Sequence, residues 1–73
     1  MSPKKHVVTD EGIGALVRAR RHKQGLGQPE LGEALGVSGM TVQHYETGRT
    51  PLTVVKLVKI AEVLRCRTLD LIP

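Results

Sequence analysis

Residues 28–48 read QPELGEALGVSGMTVQHYETG, and the pattern within them decides the fold. Leu31 and Leu35 stand one helical turn apart, Gly36-Val37-Ser38 interrupts the pattern, and Val42 and Tyr45 resume a helical spacing beyond it. The stretch is expected to form two short helices held at a sharp turn, each burying one face against the other. Ser38 is placed to cap the second of these helices by accepting from the backbone amide of Met40 or Thr41. That register turns Gly39, Met40, Gln43 and His44 outward. Two helices joined in this way can seat the second one in the major groove of DNA, which makes these four positions the candidate base-reading head.

Working outward, Thr9 or Asp10 can cap a first helix that runs to about residue 24, with Ile13, Leu16 and Val17 as its apolar stripe and Gly25 as its stop. Pro29 is tolerated in the first turn of the next helix, over residues 28–35, and Glu30 suits its positive start. The third helix spans residue 39 to 46 or 47, and Gly48 supplies a left-handed exit. After a linker at residues 50–52, Thr53 caps a fourth helix that continues to about residue 64. Val54, Leu57, Ile60, Ala61 and Leu64 form its apolar stripe, and Val55 and Val58 widen the arc beyond what one small core needs. The tail CRTLDLI reads either as a short fifth helix capped by Thr68 or as an alternating strand, and the helix is favoured. Residues 1–8, with Pro3, Lys4, Lys5 and His6, have no periodicity and are expected to form a flexible basic arm ahead of a domain at residues 9–73.

A chain of 73 residues is one domain. Tyr45 is its only aromatic residue, so burial rests on aliphatic side chains and the net stability is expected near the low end of roughly 5–15 kcal/mol. Eleven Lys and Arg against seven Asp and Glu give a charge of +4, which favours a polyanionic partner. The single Cys66 excludes an intramolecular disulfide and is expected to be a buried thiol in a reducing compartment. With no long apolar run and no apolar leader, the expectation is a cytoplasmic protein with no membrane partner, associated with the nucleoid if DNA is its ligand. His6, His22 and His44 are too scattered for a metal site. No phosphate-cradling glycine loop and no nucleophile–base set occurs, so neither a cofactor nor an enzymatic activity is expected.

Across residues 13–72 the chain resembles the lambda-repressor-like helix-turn-helix family, of the Xre or Cro/C1 type. The resemblance is carried, in order, by Arg21, the Gly25-Leu26 turn, Gln28, Gly36-Val37-Ser38, Val42, Tyr45, Glu46, Gly48, Ile60-Ala61, Leu64 and Asp70-Leu71-Ile72. It implies an all-α fold, a compact bundle of about five short helices around a central helix-turn-helix, and sequence-specific DNA binding as a homodimer. It further implies base reading by the positions of Gly39, Met40, Gln43 and His44, phosphate contact by Gln28, Thr41, Thr47 and Arg49, and a structural ion pair between Arg21 and Glu46. Arg18, Lys23 and Gln24 are secondary phosphate candidates, Arg20 is expected to lie along the first helix, and Lys56 and Lys59 are expected on the solvated side of the fourth.

Gln43 can bond adenine bidentately, His44 can meet a purine edge, and Met40 can pack on a thymine methyl, whereas Gly39 has no side chain to read with. Direct readout is therefore thin, and DNA shape or dimer spacing is expected to carry more of the discrimination. The expected activity is that of a prokaryotic or phage repressor on a palindromic operator. Its homodimer surface is assigned to Val55, Val58, Leu69, Leu71 and Ile72. The alternatives are an antitoxin that represses its own operon and also binds a toxin partner, for which a strand at residues 67–72 would argue, and a protein-interaction adapter with the same bundle.

Overall fold

The computed structural model describes residues 8–73; of the expected arm at residues 1–8, all but Val8 lies outside them. Four α-helices follow one another: α1 at Asp10–Lys23, α2 at Gln28–Leu35, α3 at Gly39–Glu46 and α4 at Val54–Val63. A single 3₁₀ turn occupies Thr68–Leu71. The expectation of five helices is corrected here: the last element is one turn closed by i→i+3 bonds, such as Ile72 N–H to the Leu69 carbonyl at 3.2 Å. Thr68 is also not its cap. Arg67 holds that position, and its N–H donates to Asp70 Oδ2 at 2.9 Å. Among the described residues there is no strand, including at residues 67–72.

The helix starts follow side-chain capping. Thr9 Oγ1 accepts from Gly12 N at 2.9 Å, Ser38 Oγ from Thr41 N at 3.1 Å, and Thr53 Oγ1 from Lys56 N at 3.2 Å. Between α2 and α3 the backbone reverses at Gly36, whose φ of 76° is left-handed, and Val37 N–H returns to the Gly32 carbonyl at 2.8 Å. α2 and α3 pack on each other, α1 lies across α3, and α4 closes the far side against α2 and the 3₁₀ turn. At the α1–α3 crossing a Cβ on Gly14 would stand 2.5 Å from the Glu46 carbonyl oxygen, so only glycine admits this approach.

The core joins Val17, Leu31, Val42, Tyr45, Leu57, Ile60, Ala61, Leu64 and Leu71. Along α1 only Val17 of the expected stripe is fully buried; Ile13 and Leu16 are half-buried. Val54 departs further, being 75% exposed. It sits in the first turn of α4, beyond the edge of the core, whose α4 residues begin at Leu57; Leu52 from the linker packs against the core. Leu71, assigned from sequence to a dimer surface, is 0% exposed because the 3₁₀ turn folds it under α4 and α1. Ile72 is half-buried against the same core.

Asp70 binds this turn together. Its carboxylate accepts from the Arg67 side chain at 3.1 Å and lies 3.7 Å from Arg20 Nη2, which ties the tail to α1. The Arg67 side-chain bond, helped by the Arg67 backbone N–H, holds the Asp70 carboxyl below the usual carboxylate range. A depressed folded-state pKa contributes stability above the unfolded value and loses it as pH falls through the folded one. Asp70→Asn is therefore expected to be less stable than wild type at neutral pH, with the difference in urea midpoint shrinking as pH falls through the acid range. Two residues past α4, Arg65 takes φ 55°, an unfavourable conformation for a side chain, and Arg65 itself is exposed. Arg65→Gly is expected to stabilise the fold by roughly 0.5–1 kcal/mol, read by urea unfolding.

Candidate nucleic-acid interface

α3 separates its residues cleanly by face. Val42, Tyr45 and Glu46 are buried, while Met40 and Gln43 are exposed and His44 is half-buried. Met40 is 60% exposed, so its thioether is open to solvent on this face. Of the four predicted base-facing positions, these three form one outward surface at helical spacing. Gly39 differs: a Cβ there would lie 3.2 Å from Pro29 N, so this position faces the start of α2 and serves its close approach.

The predicted phosphate set is arranged around that surface. Thr41 is half-buried, its hydroxyl 3.0 Å from Ser38 Oγ. Thr47 Oγ1 donates to the Gln43 carbonyl at 3.0 Å, which leaves its hydroxyl oxygen, but not its proton, for another partner. Arg49 is exposed past Gly48, and its N–H satisfies the His44 carbonyl at 2.9 Å. Gln28 is half-buried at the first position of α2.

Beneath this surface lies the Arg21–Glu46 pair. Arg21 Nε donates to Glu46 Oε2 at 2.6 Å and Nη2 to Oε1 at 2.9 Å, a bidentate pair with side chains only 7% and 2% exposed. Arg21 Nη1 also donates to the Leu26 carbonyl at 2.9 Å, fixing the α1–α2 turn. The bond to Glu46 raises the Arg21 pKa. Gln28 Nε2 donates to Glu46 Oε1 at 3.2 Å as a third arm. A polar cleft of about 170 Å³ opens over this network, lined by Arg18, Gln28, Gln43, Glu46 and Thr47. Arg18, a secondary candidate by sequence, thus stands beside Gln28, whereas Lys23 and Gln24 are exposed at the end of α1 and outside the cleft.

Two contacts were not legible beforehand. The Gln28–Glu46 bond spans 18 residues, with no local spacing to announce it. Lys56, expected on the solvated side of α4, donates to Tyr45 Oη at 3.0 Å with its ammonium 5.5 Å from the ring centroid. The available signal was the tyrosine itself, whose buried hydroxyl requires a partner. On the opposite side of α4, Val54, Val55 and Val58 are exposed, as is Leu69 on the 3₁₀ turn. Cys66 packs at the core edge, where burial pushes its thiol pKa up. Among the described residues no group of three or more His, Cys, Asp or Glu side chains could hold a metal ion, and no helix is long and apolar enough to cross a membrane.

The family model for the helix-turn-helix domain matches residues 13–72, and the chain belongs to that family. Its relatives include HTH-type transcriptional regulators of Sinorhizobium medicae, 34% identical over 75% of this chain and 40% of the relative, and of Sinorhizobium fredii. The S. fredii regulator y4mF is 34% identical over 85% of this chain and 82% of its own length. The chain spans about two fifths of the length of the first curated relatives it matches. Among solved structures, the clp gene regulator ClgR of Corynebacterium glutamicum superposes with a TM-score of 0.81 at 29% identity, covering 85% of this chain and 80% of that one. Hydroxypropylphosphonic acid epoxidase of S. wedmorenis matches with a TM-score of 0.84 at 30% identity over 89% of this chain, but over only 35% of its own. The bundle therefore occurs within an enzyme as well as in a regulator, and function must be argued from the α3 surface.

Truncating one member of the buried pair strands the other charge. Glu46→Leu is expected to cost on the order of 3–5 kcal/mol in urea unfolding, and the double variant Arg21→Met/Glu46→Leu markedly less, because the charges then leave together.

Proposed function

We propose that this helix-turn-helix protein is a sequence-specific repressor of the Xre or Cro/C1 type, which occupies a pseudo-palindromic operator as a homodimer and blocks promoter DNA. The observation that carries the reading is the outward face of α3, where Met40, Gln43 and His44 stand together beside the cleft formed by Arg18, Gln28 and Thr47. An exposed helix with hydrogen-bonding groups and one thioether fits the edge pattern of the major groove, and the flanking donors fit phosphates. The regulator names of the relatives support the same class.

The dimer in this reading forms through the exposed apolar surface of α4 and the 3₁₀ turn, with Val54, Val55, Val58 and Leu69. The protein then acts in the cytoplasm at the nucleoid and has no catalytic role. An antitoxin function draws no support from residues 67–72, which supply a 3₁₀ turn in place of a strand edge.

The test is selection from a random duplex library at near-physiological salt. The expected result is an inverted repeat with half-site centres about one helical turn apart. On the selected duplex, Gln43→Ala and His44→Ala are each expected to flatten the preference at one or two base pairs by about 1–3 kcal/mol. Affinity and preference unchanged in both variants would remove α3 as the reading element.

A further inference from the structure

We infer that Glu46, through the carboxylate it presents to Gln28, is a positioning residue for phosphate contact, and that the buried pair therefore sets DNA affinity as well as stability. The inference rests on the DNA-binding reading and deepens it. A carboxylate lining the cleft that is to receive a polyanion would ordinarily repel it. Here both oxygens are engaged: Oε2 accepts from Arg21 Nε, and Oε1 from Arg21 Nη2 and Gln28 Nε2. Arg21 neutralises the charge, and no buried polar side-chain atom is left without a partner among the described residues.

What remains is a directional acceptor. A glutamine side chain in water samples many rotamers, and ordering one against an arriving phosphate costs rotamer entropy at the moment of binding. The Glu46 bond orders the Gln28 carboxamide beforehand at the wall of the cleft that both residues line, and it uses one of the two NH₂ hydrogens, so the second is available to a phosphate oxygen. Glu46 is itself held by Arg21, whose third arm fixes the Leu26 carbonyl two residues before Gln28. The backbone that carries the glutamine and the carboxylate that orients it are thus referred to the same guanidinium. Gln43 and Thr47 line the same cleft from α3, so a phosphate held by Gln28 is held in register with the reading surface.

A double-mutant cycle on the complete chain tests this, using fluorescence anisotropy on the fluorescein-labelled duplex that the selection enriches. Gln28→Ala in the otherwise wild-type protein is expected to weaken binding about tenfold, the size of one charge-assisted hydrogen bond. In the Arg21→Met/Glu46→Leu background, which removes the pair as a unit, the same change is expected to cost less than about threefold, because the glutamine there is already unoriented. Equal costs in the two backgrounds overturn the inference. Should that double background fail to fold, Arg21→Met/Glu46→Met, which likewise removes both charges together and leaves no acceptor at position 46, replaces it in the same cycle. The DNA-free protein gives an independent reading: the side-chain amide protons of Gln28 are expected to shift and to exchange faster with water in the Glu46 variant, and resonances that do not move count against the contact. Failure of the wild type to retain any duplex at low salt would instead overturn the DNA-binding reading itself, a result the cycle cannot produce.

Discussion

Two opposite charges buried at the junction of α1 and α3 constrain nearly everything around them. Withdrawing a guanidinium and a carboxylate from water costs several kcal/mol per ion, and only close geometry with every remaining donor and acceptor occupied offsets it. Arg21 and Glu46 meet that condition with two bonds to each other, one to the Leu26 carbonyl and one from Gln28. The requirement propagates. α1 must come close enough to the end of α3 for the pair to form, which excludes a Cβ at Gly14, and the α1–α2 turn must present Leu26 to the guanidinium. A core of aliphatic side chains with a single aromatic ring has few other means of fixing one arrangement of its helices.

The same junction relates stability to the exposed surface. Glu46 is the last residue of α3, so the pair anchors the C-terminal end of the helix whose other face carries Met40, Gln43 and His44. Ser38 secures the N-terminal end by its cap on Thr41, and Lys56 adds a second hold on the last turn through the Tyr45 hydroxyl. A helix of only eight residues is marginal in isolation, and here it is capped at its start and held at its last turn by α1 and α4. Its outward side chains therefore stand on a rigid support, the condition under which a few polar groups can discriminate between ligands.

Much of this was legible in the sequence where the controlling physics is local. The extents of α2 and α3, the caps at Ser38 and Thr53, and the left-handed Gly36, Gly25 and Gly48 follow from side-chain chemistry within a few residues. Where three-dimensional proximity decides, the reading fell short. Periodicity placed Val54 in the core because it continues the stripe of α4, yet the buried stripe starts one turn later, at Leu57. Apolar character offered Leu71 to a partner chain, yet the 3₁₀ turn buries it. Lys56 is exposed as expected, but its bond to the Tyr45 hydroxyl depends on how α3 and α4 pack, which no local spacing announces. The Arg21–Glu46 contact entered only through family resemblance, since its 25-residue separation leaves no local trace.

The distribution of charge bears on how such a surface would bind. Eleven basic residues exceed seven acidic ones, yet the arginines do not contribute alike. Arg20, Arg21 and Arg67 are matched to Asp70 and Glu46 within the fold, whereas among the described residues Arg18, Lys23 and Arg49 have no carboxylate partner. The positive excess thus sits on side chains that structure has left free, and each one that meets a phosphate adds about 0.9 to the slope of log affinity against log salt. Against that sequence-independent attraction, the outward face of α3 offers the proposed reading only Met40, Gln43 and His44, since Gly39 lies against the start of α2. Under the proposed function, attraction so distributed would bring the protein to DNA readily while a single copy would discriminate weakly. In the proposed homodimer, two α3 helices at a fixed spacing would add their discrimination in free energy, so an exposed apolar α4 surface and a sparse outward face of α3 would serve one another.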